Sequence, residues 1–119
     1  MSYPDLIITE TVTIAAGASL SGASTYRPGY SLVGIQTAST WDAAKITLDG
    51  SLNGTNYFSV RTNAAEYEIA SITGAACVAI DPAVTHMWKT FKVRSGIVGT
   101  LVAQVDATIV TLVFKVVGV

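Results

Sequence analysis

Few side chains in this sequence are spaced for chemistry. Glu66 and Glu68 fall two residues apart in AEYEIA. On a strand they share a face about 7 Å apart, a separation in the range of the carboxylate pair of an inverting glycosidase. The simpler reading is two carboxylates flanking Tyr67 on a solvated strand face. His86 is the single histidine and Cys77 the single cysteine. Zinc sites built from several histidines are therefore excluded, and the two residues have no spacing typical of a shared ligand set. A Ser-His-Asp triad has no nucleophile elbow to rest on, so His86 reads as an ordinary polar residue of the loop IDPAVTHMW. Cys77 lies in the apolar run AACVAI and reads as a buried, inert thiol, with no internal disulfide framework.

Oxygen ligands collect only in ITLDGSLNGTNYFSV, residues 46 to 60. Asp49, Asn53 and Asn56 could face a calcium ion, but three ligands fall short of the six to eight it takes. The same stretch holds two hairpin dipeptides, Asp49-Gly50 and Asn53-Gly54, and only one can be the turn. Ile46, Leu48, Gly50 and Leu52 share one face of an extended chain while Lys45, Thr47, Asp49 and Ser51 share the other. The alternation runs through Asp49-Gly50, so Asn53-Gly54 is the predicted turn. An odd loop of about three or five residues keeps the faces consistent. It sets Leu48 opposite Val60 and Gly50 opposite Phe58, and it predicts that the Phe58 ring lies over the glycine.

Two binding surfaces can be weighed. Trp41, Tyr57, Tyr67 and Trp88 could form a platform for sugar rings, as in a carbohydrate-binding sandwich, but Trp and Tyr serve equally as core or interface anchors. Lys92 and Arg94 share a strand face with Trp88, which raises nucleic acid as a partner. Seven basic against eight acidic residues, net charge -1, supply no wider basic field. No catalytic residues, metal, cofactor or nucleic-acid partner are expected.

The elements that would position these residues are strands. Period-two alternation recurs over residues 6–14, 31–38, 44–52, 56–60, 67–72, 76–80, 88–93 and 107–117, separated by short turn-rich pieces. About eight strands without a crossover helix predict an all-β fold, an antiparallel β-sandwich in a single domain over residues 1–119. Half of the chain is apolar, only 13% is charged and the mean hydropathy is +0.51, so part of the surface is expected to meet a partner. Thr111 and Lys115 interrupt the greasiest segment, leaving no membrane span. Pro4 and Asp5 stand where a signal peptide needs a basic start and an apolar middle, so a soluble chain without export or anchor is expected. Tyr3, Leu6 and Ile7 precede the first clear alternation and predict an extended, adhesive N-terminal arm over residues 1–7. The last strand is apolar on both sides, with Ile109, Val113 and Val117 on one face, which predicts core on one side and a neighbouring subunit on the other.

Four ordered motifs carry a resemblance over nearly the whole chain. They are AAGASLSG, the hairpin from Ser51 to Tyr57, the Asp81-Pro82 turn and KVRSG at residues 92 to 96. Together they resemble small structural proteins of tailed bacteriophages, in particular jelly-roll proteins of the head decoration or cement type. Leu101 stands where such sequences carry proline, and Asn53 where they more often carry Asp. The resemblance implies a jelly-roll-like virion component, made in the host cytoplasm and bound to the capsid surface. Its implied partners are the major capsid protein and neighbouring copies of itself, as a homo-oligomer on the virion; from the residues themselves, Tyr3, Leu6, Ile7, Trp41 and Trp88 are the expected contacts. A tail or baseplate location and a sugar-binding module are the alternatives.

Overall fold

The computed structural model describes residues 7–63 and 65–116. Tyr3, Leu6 and Val117, and with them nearly all of the predicted arm, lie outside the described residues. Threonine and β-branched apolar residues alternate in the first strand, β1 (Ile7–Ile14), which turns Val12 and Ile14 inward and Thr9, Thr11 and Thr13 to solvent. The chain continues through β2 (Tyr30–Thr37), β3 (Ala44–Ser51), β4 (Phe58–Ser59), β5 (Arg61–Thr62), β6 (Ala65–Glu66), β7 (Ala70–Ile72) and β8 (Ala76–Ala79). After the one-turn helix α1 (Pro82–Thr85) come β9 (Thr90–Ile97), β10 (Thr100–Leu101) and β11 (Thr108–Val116). Asp81 caps α1 by accepting from the Ala83 N–H, with Pro82 at the first helical position.

Two sheets enclose one core. The first has the order β1-β11-β2-β8, and the second β10-β9-β3-β4 with β7 further along the same edge of β3. Val12, Ile14, Leu32, Ile35, Val110, Leu112 and Phe114 of the first sheet meet Ile46, Leu48, Val60, Phe91 and Val93 of the second. Their alternation with polar positions along each strand is what separates the inner from the outer faces. The alternation of β2 is broken by a bulge opposite Val113 and Phe114.

One segment with no strand pattern in its sequence completes the architecture. Ser19 to Arg27 runs antiparallel along the free edge of β9, with the Ser21, Ser24 and Arg27 N–H groups donating to the Val93, Phe91 and Lys89 carbonyls. The hydroxyls of Ser21 and Ser24 accept the Val93 and Phe91 N–H groups in return. Serine side chains thus stand in for ladder carbonyls, which is why a stretch with no β-former alternation can pair. With this segment counted, and with β4 and β7 as one edge strand, each sheet has four strands and the chain crosses between them at every connection except the hairpin from β3 to β4, which is the eight-strand jelly-roll path. The antiparallel, jelly-roll-like sandwich expected from the sequence is the observed fold.

Glu10, the one residue that breaks the inward apolar pattern of β1, ties this segment down. Its carboxylate accepts from the Thr25 N–H and hydroxyl and pairs with Arg27, whose guanidinium lies 5.4 Å over the Phe114 ring. An inward charge on an edge strand also discourages pairing with a foreign strand.

The hairpin has the expected register. Asp49-Gly50 lies inside β3, Gly50 pairs with Phe58, and the Val60 N–H donates to the Leu48 carbonyl. The loop from Leu52 to Tyr57 is longer than expected. Gly54 turns it at φ +79°, and the Asn53 side-chain oxygen accepts the Thr55 and Asn56 N–H groups. Asn53→Ala removes both bonds and is expected to cost about 1–2 kcal/mol in a thermal melt; a change below about 0.3 kcal/mol would show that these bonds do not hold the turn. The aromatic expectation is corrected. Phe58 is 63% exposed, and the ring over Gly50 belongs to Trp88, whose atoms come within 2.6 Å of where a Cβ would sit. Trp88 fills that space because α1 and the following turn carry it back over β3, a non-local placement that the hairpin register does not encode.

Candidate functional site

The outer face of the second sheet is polar, yet much of it is buried. Thr47, Asp49 and Ser51 of β3 lie opposite Arg94, Lys92 and Thr90 of β9. The chain between Val60 and Tyr67 leaves the edge of β3 as the β5–β6 hairpin, and Tyr67 then rejoins through its N–H to the Val60 carbonyl. That excursion brings Glu66 over the face. Arg94, 7% exposed, is held between Asp49, in a close ion pair, and Glu66 at 3.5 Å. Glu66 also accepts the Val98 N–H, while Glu68 pairs with Lys45. The two glutamates therefore serve different cations, and each carboxylate joins one part of the fold to another.

The remaining predicted sites separate in the same way. Asp49 is committed to Arg94 and Asn53 to its own loop, so Asp49, Asn53 and Asn56 do not converge on a cation. His86 caps α1 with its ring nitrogen 3.0 Å from the Pro82 carbonyl. Cys77 is exposed on the edge strand β8, in correction of the buried thiol expected from its apolar neighbours. In an edge strand with alternate residues out, the apolar run around it does not imply burial.

The aromatic residues form no common platform. Trp41 is 2% exposed in the core, so it offers no surface to a partner, in correction of its predicted contact role. The chain turns at Ala38 to Trp41, whose carbonyl and N–H are both used, and the ring is drawn inward. Its Nε1 has no partner among the described residues. Tyr67 packs against the core, and Tyr57 lies on the outer face with Lys92 4.4 Å over its ring and its hydroxyl 3.4 Å from that of Thr90. Trp88 is on the opposite, inner face of the sheet from Lys92 and Arg94, because it precedes β9 and does not belong to its alternation.

No protein-family model matches the chain, and no curated protein matches it. Among solved structures, a Yersinia pseudotuberculosis-derived mitogen is 13% identical at a TM-score of 0.41, covering 95% of this chain and 87% of that one. The Drosophila NLP core, described by its pentamer formation and histone binding, is 13% identical at 0.42, covering 89% and 96%. A Bacillus endospore appendage protein, of a family of disulfide-linked pili, is 15% identical at 0.40, covering 98% and 97%. Likenesses this distant carry no argument about function.

What remains available for recognition is apolar. At the end of the sandwich where β3 finishes and β9 begins, Tyr26, Leu52, Phe58 and Met87 are each more than half exposed. The Lys89 N–H bonded to the Ser51 carbonyl, the Arg27 N–H bonded to the Lys89 carbonyl and the Tyr26 ring beside Gly54 gather them there. At the opposite end Val98, Leu101 and Val105 are exposed on β10 and its flanking turns, beside a cleft of about 310 Å³ lined by Lys45, Gly96, Ile97, Thr100 and Val102. Of the predicted contact residues, Ile7 is 58% exposed and Trp88 is half-buried. Leu52, Phe58 and Met87 were missed by sequence reasoning because each sits in or beside a strand pattern that assigns it inward.

Proposed function

We propose that this chain is a non-enzymatic structural protein of a tailed-bacteriophage virion that binds and stabilises the capsid surface as a decoration or cement protein. The sequence resemblance supplies that class. The observation that supports attachment is the apolar end formed by Tyr26, Leu52, Phe58 and Met87, side chains that a free domain leaves in water. Its ion pairs tie the fold together, as Arg94 and Glu10 illustrate. A protein that binds the assembled lattice and not the dispersed subunits adds its binding free energy to the assembled state, and many equivalent copies sum modest contacts into shell stability.

The test is to add purified protein to heads that lack it. With 13% charged residues and a net charge of -1, binding is expected to change less than about threefold between low and moderate salt. Phe58→Asp, at an exposed position, is expected to weaken it at least about tenfold, since it buries a charge at the contact. Release by moderate salt, or unchanged binding of Phe58→Asp, would contradict the apolar attachment. Recovery of the protein on tails would sink the capsid placement.

A further inference from the structure

The outer face of the first sheet carries almost no charge. One row across its strands consists of Thr9, Val113, Gly34 and Ala79, and the next of Thr11, Thr111, Gln36 and Cys77. Beyond them Thr13 stands opposite Ile109, which is 53% exposed. Among the described residues the one charge on it is Lys115, in the end row beside Ile7, where its long side chain can reach water. The relief of the face is lopsided. The half formed by β1 and β11 bears branched side chains in both rows, whereas the half formed by β2 and β8 bears only Gly34 and Ala79 in the first row and Gln36 and Cys77 in the second.

We propose that this face is the interface between two copies of the chain, packed sheet on sheet about a two-fold axis parallel to the strands. Such an axis leaves each row at its own height and reverses the strand order across it. β11 of one copy then lies over β2 of its mate, and β1 over β8. Val113 meets the mate's Gly34, and Thr9 the mate's Ala79, so in that row the branched side chains of each copy fill the low positions of the other, while in the next row Thr11 meets the mate's Cys77 and Thr111 the mate's Gln36 amide. The face is complementary to itself, as an isologous contact requires. A charged partner surface would lose its hydration against it with nothing to pair.

The extent is sufficient. Three strands of about eight residues and one of four, at ~3.4 Å per residue and ~4.8 Å between strands, give a footprint of roughly 450 Å² per copy. Counting both copies and adding the relief of the side chains, the buried area reaches the ~1,000 Å² that a specific interface must clear. Two such sheets facing each other about 10 Å apart are ordinary sheet-on-sheet geometry. The pairing names the surface used between copies in the proposed function, yet it needs no capsid and is tested on purified protein alone.

Sedimentation at about 0.1 mM, where a micromolar interface is saturated, is expected to give a dimer. Ile109→Glu places a charge on the exposed face, and it is expected to weaken the dimer at least about tenfold while leaving the β-type circular dichroism and the melt near those of the parent. Geometry is read separately with Thr11→Cys. Within one chain residue 11 and Cys77 are three strand spacings apart, ~14 Å, but across the axis they face each other. A short bismaleimide is therefore expected to join Thr11→Cys chains into covalent dimers, and to do so neither for the parent nor for Thr11→Cys in a Cys77→Ala background. A monomeric parent, a dimer indifferent to Ile109→Glu, or failure of the Thr11→Cys crosslink would each overturn the proposal. So would a monomer in which Ile109→Glu abolishes capsid binding, which would assign the face to the capsid.

Discussion

Gly96→Ala is expected to destabilise the protein by about 3 kcal/mol or more, enough to lower the melting temperature by roughly 12 °C for a domain of this size. Gly96 has φ +97°, which an L side chain adopts only at a cost of ~1–2 kcal/mol. Steric overlap costs more. An added Cβ would lie 2.5 Å from the Thr100 carbonyl oxygen and 2.8 Å from the Val102 nitrogen, both of them backbone. No rotamer relieves that contact, so β10 must move away and the bond from the Val102 N–H to the Ser95 carbonyl is lost. Gly99, three residues on, has open space around it and serves as the control, with Gly99→Ala within about 0.5 kcal/mol of the parent. A Gly96→Ala melt that matches the control would show that the β9–β10 turn is free to adjust.

Arg94→Met is expected to cost about 3–5 kcal/mol, because it leaves Asp49 and Glu66, both 14% exposed, as adjacent carboxylates with no cation between them. The comparison that isolates the cause is the triple change Arg94→Met, Asp49→Leu, Glu66→Gln. It removes all three charges, and the new amide at position 66 still offers an oxygen to the Val98 N–H that Glu66 now accepts. Much of the lost stability is expected to return, since a buried ion cluster is worth little against well-packed neutral groups but is costly to break in half. If Arg94→Met alone shifts stability by less than about 1 kcal/mol, the cluster is solvated and the β5–β6 hairpin is held by something else.

The strands were legible where local alternation and burial agree. β1 and β3 show their inner faces directly in Val12 and Ile14 and in Ile46 and Leu48, whereas β11 is apolar on both faces, so only the fold shows that Val110, Leu112 and Phe114 turn inward. The hairpin register followed from the same rule, because one residue of slip would have turned Ser59 inward. Arg94 was not legible. Its position in the β9 alternation points outward, which ordinarily means solvent, and only the β5–β6 excursion some thirty residues earlier in the chain covers it. The segment from Ser19 to Arg27 pairs through hydroxyls that no strand pattern includes. Gln104 was hidden for a related reason. It lies in a loop, but its side chain accepts from the Asp42 N–H and donates to the Ser95 hydroxyl while its backbone bonds both Gly17 and Ala18. One fully buried amide thus joins three segments that are distant in sequence.

Among the described residues β1 has β11 as its sole neighbour in the first sheet, with Ile14 paired to Thr108 and Ile7 to Lys115. β1 therefore waits for β11. Until β11 leaves the ribosome, the apolar sides of β1 and β2 have no strand between them, and no early fragment of the chain can close the sandwich. Such non-local pairing places folding in the slow, millisecond-to-second range. It also makes the C-terminal strand the keystone of assembly. A stop codon that removes it would release a chain with an open apolar seam, prone to aggregation, whereas the pairing of Ile7 with Lys115 suits the fold to circular permutation, with a linker joining β11 to β1 and new ends placed in the exposed loop at Asn53.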